Sequence, residues 1–335
     1  MTSPLALLMA LIAAAVVYDF VNGFQDSANI VATMIASNAM SMRGALAIAA
    51  AGTLAGPFVI GTAVARTIGS EVLSPQAVTI SVAIAALAAA TLWNLSAWYV
   101  SVPVSSSHAL VGGLVGAGWH DAGPAAIQAA GIAKVAIALV ISPVLGFVVA
   151  LVLMHLTLWW LRDATPRANA TLSRLQVATS AALALANGAN DAQKTVGVIA
   201  MGLLVLGFTS TFTVPWWAIG LSASALALGT IAGGGRVART LGSRFYRVRP
   251  IHGCAAQASA AIVSLAASLL GGPVSSTQVV SLAIVGAGAA ERRSKVRWAL
   301  LGEIAIAWLL TVPASALLAV PLHAAVHALL RGAGA

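Results

Sequence analysis

The stretch Asn22-Gly23-Phe24-Gln25-Asp26-Ser27-Ala28-Asn29 returns 165 residues later as Asn187-Gly188-Ala189-Asn190-Asp191-Ala192-Gln193-Lys194. A second stretch, Pro103-Val104-Ser105-Ser106-Ser107-His108, returns 170 residues later as Pro273-Val274-Ser275-Ser276-Thr277-Gln278. Each copy of the second is followed by Val-Gly-Ala-Gly, at 115–118 and at 285–288. Glycine, proline and amides that interrupt apolar segments at matching points of two halves mark the substrate site of a repeat-built transporter. The chain therefore divides into a first repeat over 1–160, a linker over 161–173 and a second repeat over 174–335.

Working outward, the chain is 60% hydrophobic and 7% charged, with mean hydropathy +0.97. Soluble domains carry about 25% charged residues, so this inventory cannot build an aqueous surface. Small residues run through the apolar segments, which suits close helix packing in a bilayer, and the alternation of a membrane barrel is missing. An all-α integral membrane protein is expected. Its segments fall at roughly 5–38, 44–65, 75–98, 103–120 and 126–157, then 174–208, 213–233, 252–270, 272–290 and 298–329, so about 10–12 membrane segments are counted. A crossing needs about 20 apolar residues, and the longest segments must be tilted, broken or extended past the bilayer.

The net charge of +9 reads as topology and not as nucleic-acid binding. Arg162, Arg167 and Arg174 form one basic loop, Arg236 to Arg249 a second, and Arg292, Arg293, Lys295 and Arg297 a third. Placing all three inside puts Arg43 inside as well, while Arg66, Glu71, Asp121 and both termini fall outside. Thirteen of the seventeen basic residues are then cytoplasmic. An odd number of crossings per repeat inverts the second half relative to the first. No basic residue precedes Leu5–Val17, so a retained first helix is expected there and not a signal peptide. Cys254 is the single cysteine, which rules out a disulfide framework.

Ionisable residues within membrane segments are costly and mark function by default. Here they are Asp19, Asp26, Asp191, Lys134, Lys194 and Glu303. Asp26 lies among Asn22, Gln25 and Asn29, and Asp191 among Asn187, Asn190 and Gln193. The spacing of Asn22, Asp26 and Asn29 puts them on one helix face, where carboxylate and amide oxygens suit a hard cation or a proton. The Ser105-Ser106-Ser107 and Ser275-Ser276-Thr277 runs each follow Pro-Val and open an apolar run. There, free N–H groups, hydroxyls and a helix dipole converge as an anion site. A carboxylate beside that site repels the anion until a cation or proton neutralises it, which is the physical basis of symport.

At these residues the chain resembles the inorganic phosphate transporter (PiT) family. Asn22-Gly23-Phe24-x-Asp26-x-x-Asn29 and Gly188-Ala189-Asn190-Asp191 are similar to its two signatures. Val104 to His108 and Val274 to Thr277 are similar to its paired hairpin loops. The resemblance runs from about residue 5 to residue 325. It implies two inverted repeats with broken hairpin helices around a central phosphate, symport with H⁺ or Na⁺, a homodimer, and residence in the inner (plasma) membrane. By motif match, the serine and threonine hydroxyls would hold phosphate and the Asn/Asp clusters the coupling cation or proton.

Lys194 stands where the sodium-coupled branch carries a second Asn. Its ammonium can replace a sodium ion, pair with Asp191 or hold phosphate directly. The bacterial, low-affinity, proton-coupled branch reads similarly here, which points to H⁺. That branch also implies a divalent metal carried with phosphate as a neutral complex. Sodium-coupled phosphate symport and a sulfate permease of the same fold are the alternatives. Gln278 replaces the histidine usual in the second hairpin, leaving His108 as a proton carrier or a structural histidine. Asp19, one turn before Asn22, matches an acidic position of the proton-type branch and belongs to a proton path or caps the break. Lys134 and Glu303, near-equivalent between the repeats, are read as gating residues or as a mutual ion pair. His323 and His327 lie four apart near the chain end, where two histidines do not define a metal centre; an interfacial role is expected and no metal site is assigned. No nucleophile–base triad or zinc motif is present, so an enzyme is not expected.

Overall fold

The computed structural model describes residues 3–74, 77–165, 168–233 and 248–332. The basic residues Arg236, Arg239, Arg244 and Arg247, and Arg167 of the first basic loop, lie outside them. The first half holds α1 (Pro4–Ala36), α2 (Met42–Ala55), the one-turn α3 (Ala63–Arg66), α4 (Ile80–Tyr99), α5 (Ser106–Ala122) and α6 (Ala129–Trp160). The second holds α7 (Ala168–Val205), α8 (Trp216–Ala232), α9 (Pro250–Leu269), α10 (Ser276–Glu291) and α11 (Trp298–Gly332). Within the described residues α7 begins at Ala168, inside the 161–173 stretch read as the linker. Among the described residues, five helices (α1, α4, α6, α9 and the Ile304–Gly332 part of α11) are long and apolar enough to cross a bilayer. The pair Met42–Phe58 and Ala63–Glu71, bent by 71°, makes a sixth. Pro57 cannot donate to the α2 ladder and Gly61 adopts φ +76°, so the expected single segment 44–65 breaks there.

The two halves interlock. Helix α1 packs against α8 while its counterpart α7 packs against α2, and α5 packs against α11 while α10 packs against α6. Glycines set the closest crossings. A Cβ on Gly23 would stand 2.1 Å from the Leu226 carbonyl oxygen on α8, and one on Gly188 would stand 2.3 Å from the Thr53 oxygen on α2. Those two glycines occupy the same place in the repeated motif, so one sequence rule closes both crossings.

Each helical hairpin sits in its own apolar core. One core gathers α9 and α10 with Ala28–Met34 of α1 and Leu183–Ala186 of α7. The other gathers α4 and α5 with Leu8–Tyr18 of α1 and Val196–Leu203 of α7. Going up the chain, α1 leaves the first-hairpin core and enters the second-hairpin core, whereas α7 does the reverse. That opposite order is the inversion of the repeats, and the polar motifs of both helices fall between the two cores. Large apolar side chains such as Ile137, Val140 and Val144 on α6 and Leu309 and Leu317 on α11 are exposed. In a bilayer these are the lipid face, whereas in water they would form an aggregation-prone patch.

Both hairpins turn the same way. Ser101 (φ 60°) and Gly271 (φ 74°) are repeat-equivalent left-handed residues. Val102 N–H reaches back to the Ala97 oxygen at 2.9 Å, and Gly272 N–H to the Ala267 oxygen at 2.8 Å, as a Schellman C-cap requires. The open ends are also tied alike. Thr79 Oγ1 donates to Asp121 Oδ2 at 3.3 Å across the first, and Arg249 Nη2 donates to Glu291 Oε1 at 2.5 Å across the second. Each hairpin therefore returns to the side it entered, and its tip is free to reach the middle of the molecule.

Candidate functional site

The tips meet. Ser107 at the start of α5 donates to the Val274 carbonyl oxygen at 2.6 Å, immediately before α10. Extended stretches precede both helices, and Ser105 and Ser275 cap them by accepting from His108 N–H (3.2 Å) and Gln278 N–H (3.4 Å). Capping uses one of the four unpaired N–H groups at each start. Ser105 and Ser275, expected to hold phosphate through their hydroxyls, thus first shape the half-helices.

Against these tips lie the two motif copies, in matching constellations. Asn29 Nδ2 donates to Asp26 Oδ1 at 2.7 Å and to Thr277 Oγ1 at 2.9 Å. Lys194 Nζ donates to Asp191 Oδ1 at 2.5 Å and to Ser107 Oγ at 2.6 Å. Asn29 and Lys194 each sit three residues beyond their aspartate, and Thr277 and Ser107 are the same position of the two hairpins. Each motif therefore bridges its own carboxylate to the tip hydroxyl of the other half, in the same pattern. Ser276 Oγ also donates to Asp26 Oδ2 at 2.8 Å and Thr277 Oγ1 to Oδ1 at 3.1 Å, while Lys194 adds a third bond to the Val274 oxygen at 3.1 Å. The expected anion site and cation site are one contiguous cluster.

The charge distribution is unequal. Lys194 is fully buried and neutralises Asp191. Asp26 is 6% exposed and, among the described residues, has hydroxyl and amide partners but no cation. Asp19, 1% exposed, accepts from Thr195 Oγ1 (2.5 Å) and Ser222 Oγ (2.6 Å), again with no cation among the described residues. Three buried carboxyl groups thus share one ammonium.

Asn22 and Asn187 complete the pattern by what they lack. Both are buried, at 0% and 2% exposure, and among the described residues neither the oxygen nor the nitrogen of either amide has a hydrogen-bond partner. An orphaned buried polar group costs about 1–3 kcal/mol. Two repeat-equivalent amides left this way keep their full hydrogen-bonding capacity. Asn190 differs. It accepts from Val274 N–H (3.1 Å) and donates to Ser268 Oγ (2.8 Å) and the Gly272 oxygen (3.4 Å), so its amide holds the second hairpin turn.

Of the peripheral candidates, Lys134 pairs with Glu71 at 2.8 Å and with Thr67 Oγ1 at 2.9 Å, its side chain 41% exposed. Glu71, in the turn beside the start of α6, thus gives Lys134 an acidic partner within the first half. The Glu303 side chain lies outside the described residues. His108 Nδ1 is without a partner among the described residues. Its ring and the Gln278 amide are polar groups in the lining of an otherwise apolar cavity of about 560 Å³ between α5, α6, α10 and α11.

This geometry matches known proteins. Residues 22–170 and 161–319 match the phosphate transporter family. The chain belongs to that family. A Rhizobium meliloti protein named "probable low-affinity inorganic phosphate transporter" is 42% identical over 314 residues, covering 93% of this chain and 94% of the relative. A Bacillus subtilis protein of the same name is 36% identical over 318 residues, covering 94% and 95%. The solved structure described as "The sodium-dependent phosphate transporter" superposes with a TM-score of 0.87 at 24% identity, covering 96% of this chain and 99% of that one. At that identity the likeness establishes the fold. Members of this family are transporters and not enzymes, and the chain is a multi-pass membrane protein.

Sequence reasoning missed Tyr18, which is fully buried and donates to the Ser106 carbonyl oxygen at 3.1 Å, anchoring the first tip. Thr195 and Ser222, the partners of Asp19, were missed too. A signal existed for Tyr18: it is one of three tyrosines in the chain and stands directly before Asp19, with no serine or threonine between Pro4 and Asp26. Ser222 had none, because it reaches Asp19 across 203 residues.

Proposed function

We propose that the protein imports inorganic phosphate by symport with H⁺ across the plasma membrane. The observation that carries this is the cluster at the hairpin tips, where Ser106, Ser107, Ser276 and Thr277 converge with Lys194, Asp26 and Asp191, with a third buried carboxyl group, Asp19, held by Thr195 and Ser222. Hydroxyls, helix N-termini and an ammonium suit a tetrahedral oxyanion. The carboxyl groups oppose it until positive charge is added. With all groups ionised, Asp19, Asp26 and Asp191 outweigh Lys194 by two charges, so an anion binds only as protons or cations arrive. Lys194 already occupies the place of a cation beside Asp191, which favours a proton at Asp26 over a pair of sodium ions.

Phosphate has an advantage over sulfate at such a site. Phosphate retains a proton and can donate to a carboxylate, whereas sulfate only accepts. Carriage of a neutral metal–phosphate complex, a homodimeric assembly and extracytoplasmic termini extend the same reading.

Counterflow tests the substrate without invoking the driving ion. Proteoliposomes of the purified protein, preloaded with unlabelled phosphate, are expected to accumulate labelled phosphate transiently. Sulfate-loaded vesicles are expected to give no accumulation. Equal counterflow with sulfate would contradict the phosphate assignment.

A further inference from the structure

The open ends of the two hairpins are tied by equivalent residues but unequal chemistry. At the second, Glu291 is met by Arg249, with Nη2 to Oε1 at 2.5 Å, and by His252 Nε2 to Oε2 at 2.9 Å. At the first, Asp121 takes the place of Glu291 and Thr79 the place of Arg249, each at the 170-residue offset. Among the described residues, Asp121 has no lysine or arginine within ion-pair distance. What it has is His323, whose Nε2 lies 3.4 Å from Asp121 Oδ1.

His323 is 2% exposed and lies in the last third of α11. The ring of His327, one turn further on, has its centroid 5.5 Å from that of His323. One ligand atom each from Asp121, His323 and His327 can be chosen so that all three lie within 4.8 Å of one another. On the other side of the His323 ring, its Nδ1 faces His120 Nδ1 at 2.9 Å, a separation that requires one N–H donor and one lone pair. Ser81 Oγ, at 3.2 Å from Nε2, is the remaining neighbour.

We propose that Asp121, His323 and His327 form a binding site for a divalent transition metal, with Zn²⁺ the best fit. Nitrogen and carboxylate ligands sit at roughly 2.0–2.1 Å from tetrahedral zinc, so two of them stand roughly 3.4 Å apart. His323 Nε2 and Asp121 Oδ1 have that separation. Two imidazoles and one carboxylate leave a fourth position for water. When Nε2 binds the ion, Nδ1–H is the donor left over, and His120 Nδ1 is placed to accept from it. A metal-bound histidine normally has such a partner for its second nitrogen. The ion supplies at Asp121 the positive charge that Arg249 supplies at Glu291, and it fastens the end of α11 to the first hairpin. The site lies at the far end of α5 from Ser107 and is distinct from the phosphate cluster.

The test uses the full-length protein purified in detergent. Added Co²⁺ is expected to give the visible absorption of a four-coordinate ion, saturating at one equivalent per chain and displaced by Zn²⁺. Calorimetric titration with Zn²⁺ is expected to give the same stoichiometry. His327→Ala and, separately, the nearly isosteric Asp121→Asn are each expected to weaken Zn²⁺ binding about tenfold or more and to remove the Co²⁺ band. His155→Ala, on the exposed face of α6, is expected to change neither. Circular dichroism and size-exclusion elution check that each variant is folded. No Co²⁺ band in the wild-type protein, or a band and affinity undiminished in both folded variants, would overturn the site.

Discussion

A Lys194→Met protein is expected to lose phosphate uptake to the level of empty vesicles and to be destabilised by about 3–5 kcal/mol, the usual cost of removing one partner of a buried ion pair. Lys194 is 0% exposed and makes three bonds at once, to Asp191, Ser107 and the Val274 oxygen. Its removal leaves the Asp191 carboxyl without its ammonium and the two hairpin tips without their shared clamp. Thermal unfolding in detergent reads the first effect and labelled-phosphate uptake the second. Restoring neutrality separates them. The Asp191→Asn, Lys194→Met double variant is expected to regain most of the lost stability while remaining inactive, because no buried charge is stranded but the cationic contact is gone. Lys194→Asn is the informative third case. It recreates at the second motif the arrangement of Asp26 and Asn29, so uptake is expected to return only when sodium is supplied. Sodium-independent uptake by Lys194→Asn would show that the ammonium does not stand in for a coupling cation.

Asp26→Asn is expected to abolish proton-driven phosphate accumulation while leaving phosphate–phosphate exchange measurable. The asparagine has the shape of a protonated aspartate and cannot give the proton up. Its side-chain oxygen can still accept from Asn29 and Thr277, and Ser276 can turn its hydroxyl to accept from the new amide. The stability change is therefore expected to stay near 1 kcal/mol. A carrier frozen in its neutral form can shuttle loaded in both directions, but a proton gradient no longer drives it. Comparing gradient-driven uptake with counterflow in the same vesicles reads both properties. Unchanged gradient-driven uptake would remove Asp26 from the coupling pathway.

The sequence made the repeat legible because its polar residues are few and stand out against an apolar background. Asp26 and Asp191, Ser107 and Thr277, and Gly23 and Gly188 could be matched by offset alone. The pairing of Lys194 with Asp191 was among the readings open from their spacing of three on one helix. What pairs across the fold could not be read. Thr277 reaches Asp26 over 251 residues, and no periodicity encodes which hairpin tip meets which motif. Lys134 was set against Glu303 by repeat equivalence, and its partner Glu71, brought near by the bend at Pro57 and Gly61, was not foreseen. Asn190 was grouped with Asn187 by composition. Their positions differ by three residues, close to one helical turn, and the structure separates them into a hairpin clamp and an unpartnered amide. Asp121 was read only as a residue outside the membrane, because its neighbours His323 and His327 are about two hundred residues away.

The central claim is that protons, with Lys194 fixed beside Asp191, take the place of sodium in driving phosphate through this cluster. Its most direct test is labelled-phosphate uptake into proteoliposomes under an inward proton gradient with sodium rigorously excluded. The account predicts accumulation above equilibrium that a protonophore collapses and that added sodium leaves unchanged. Uptake that appears only with sodium, and that survives the protonophore, would contradict it.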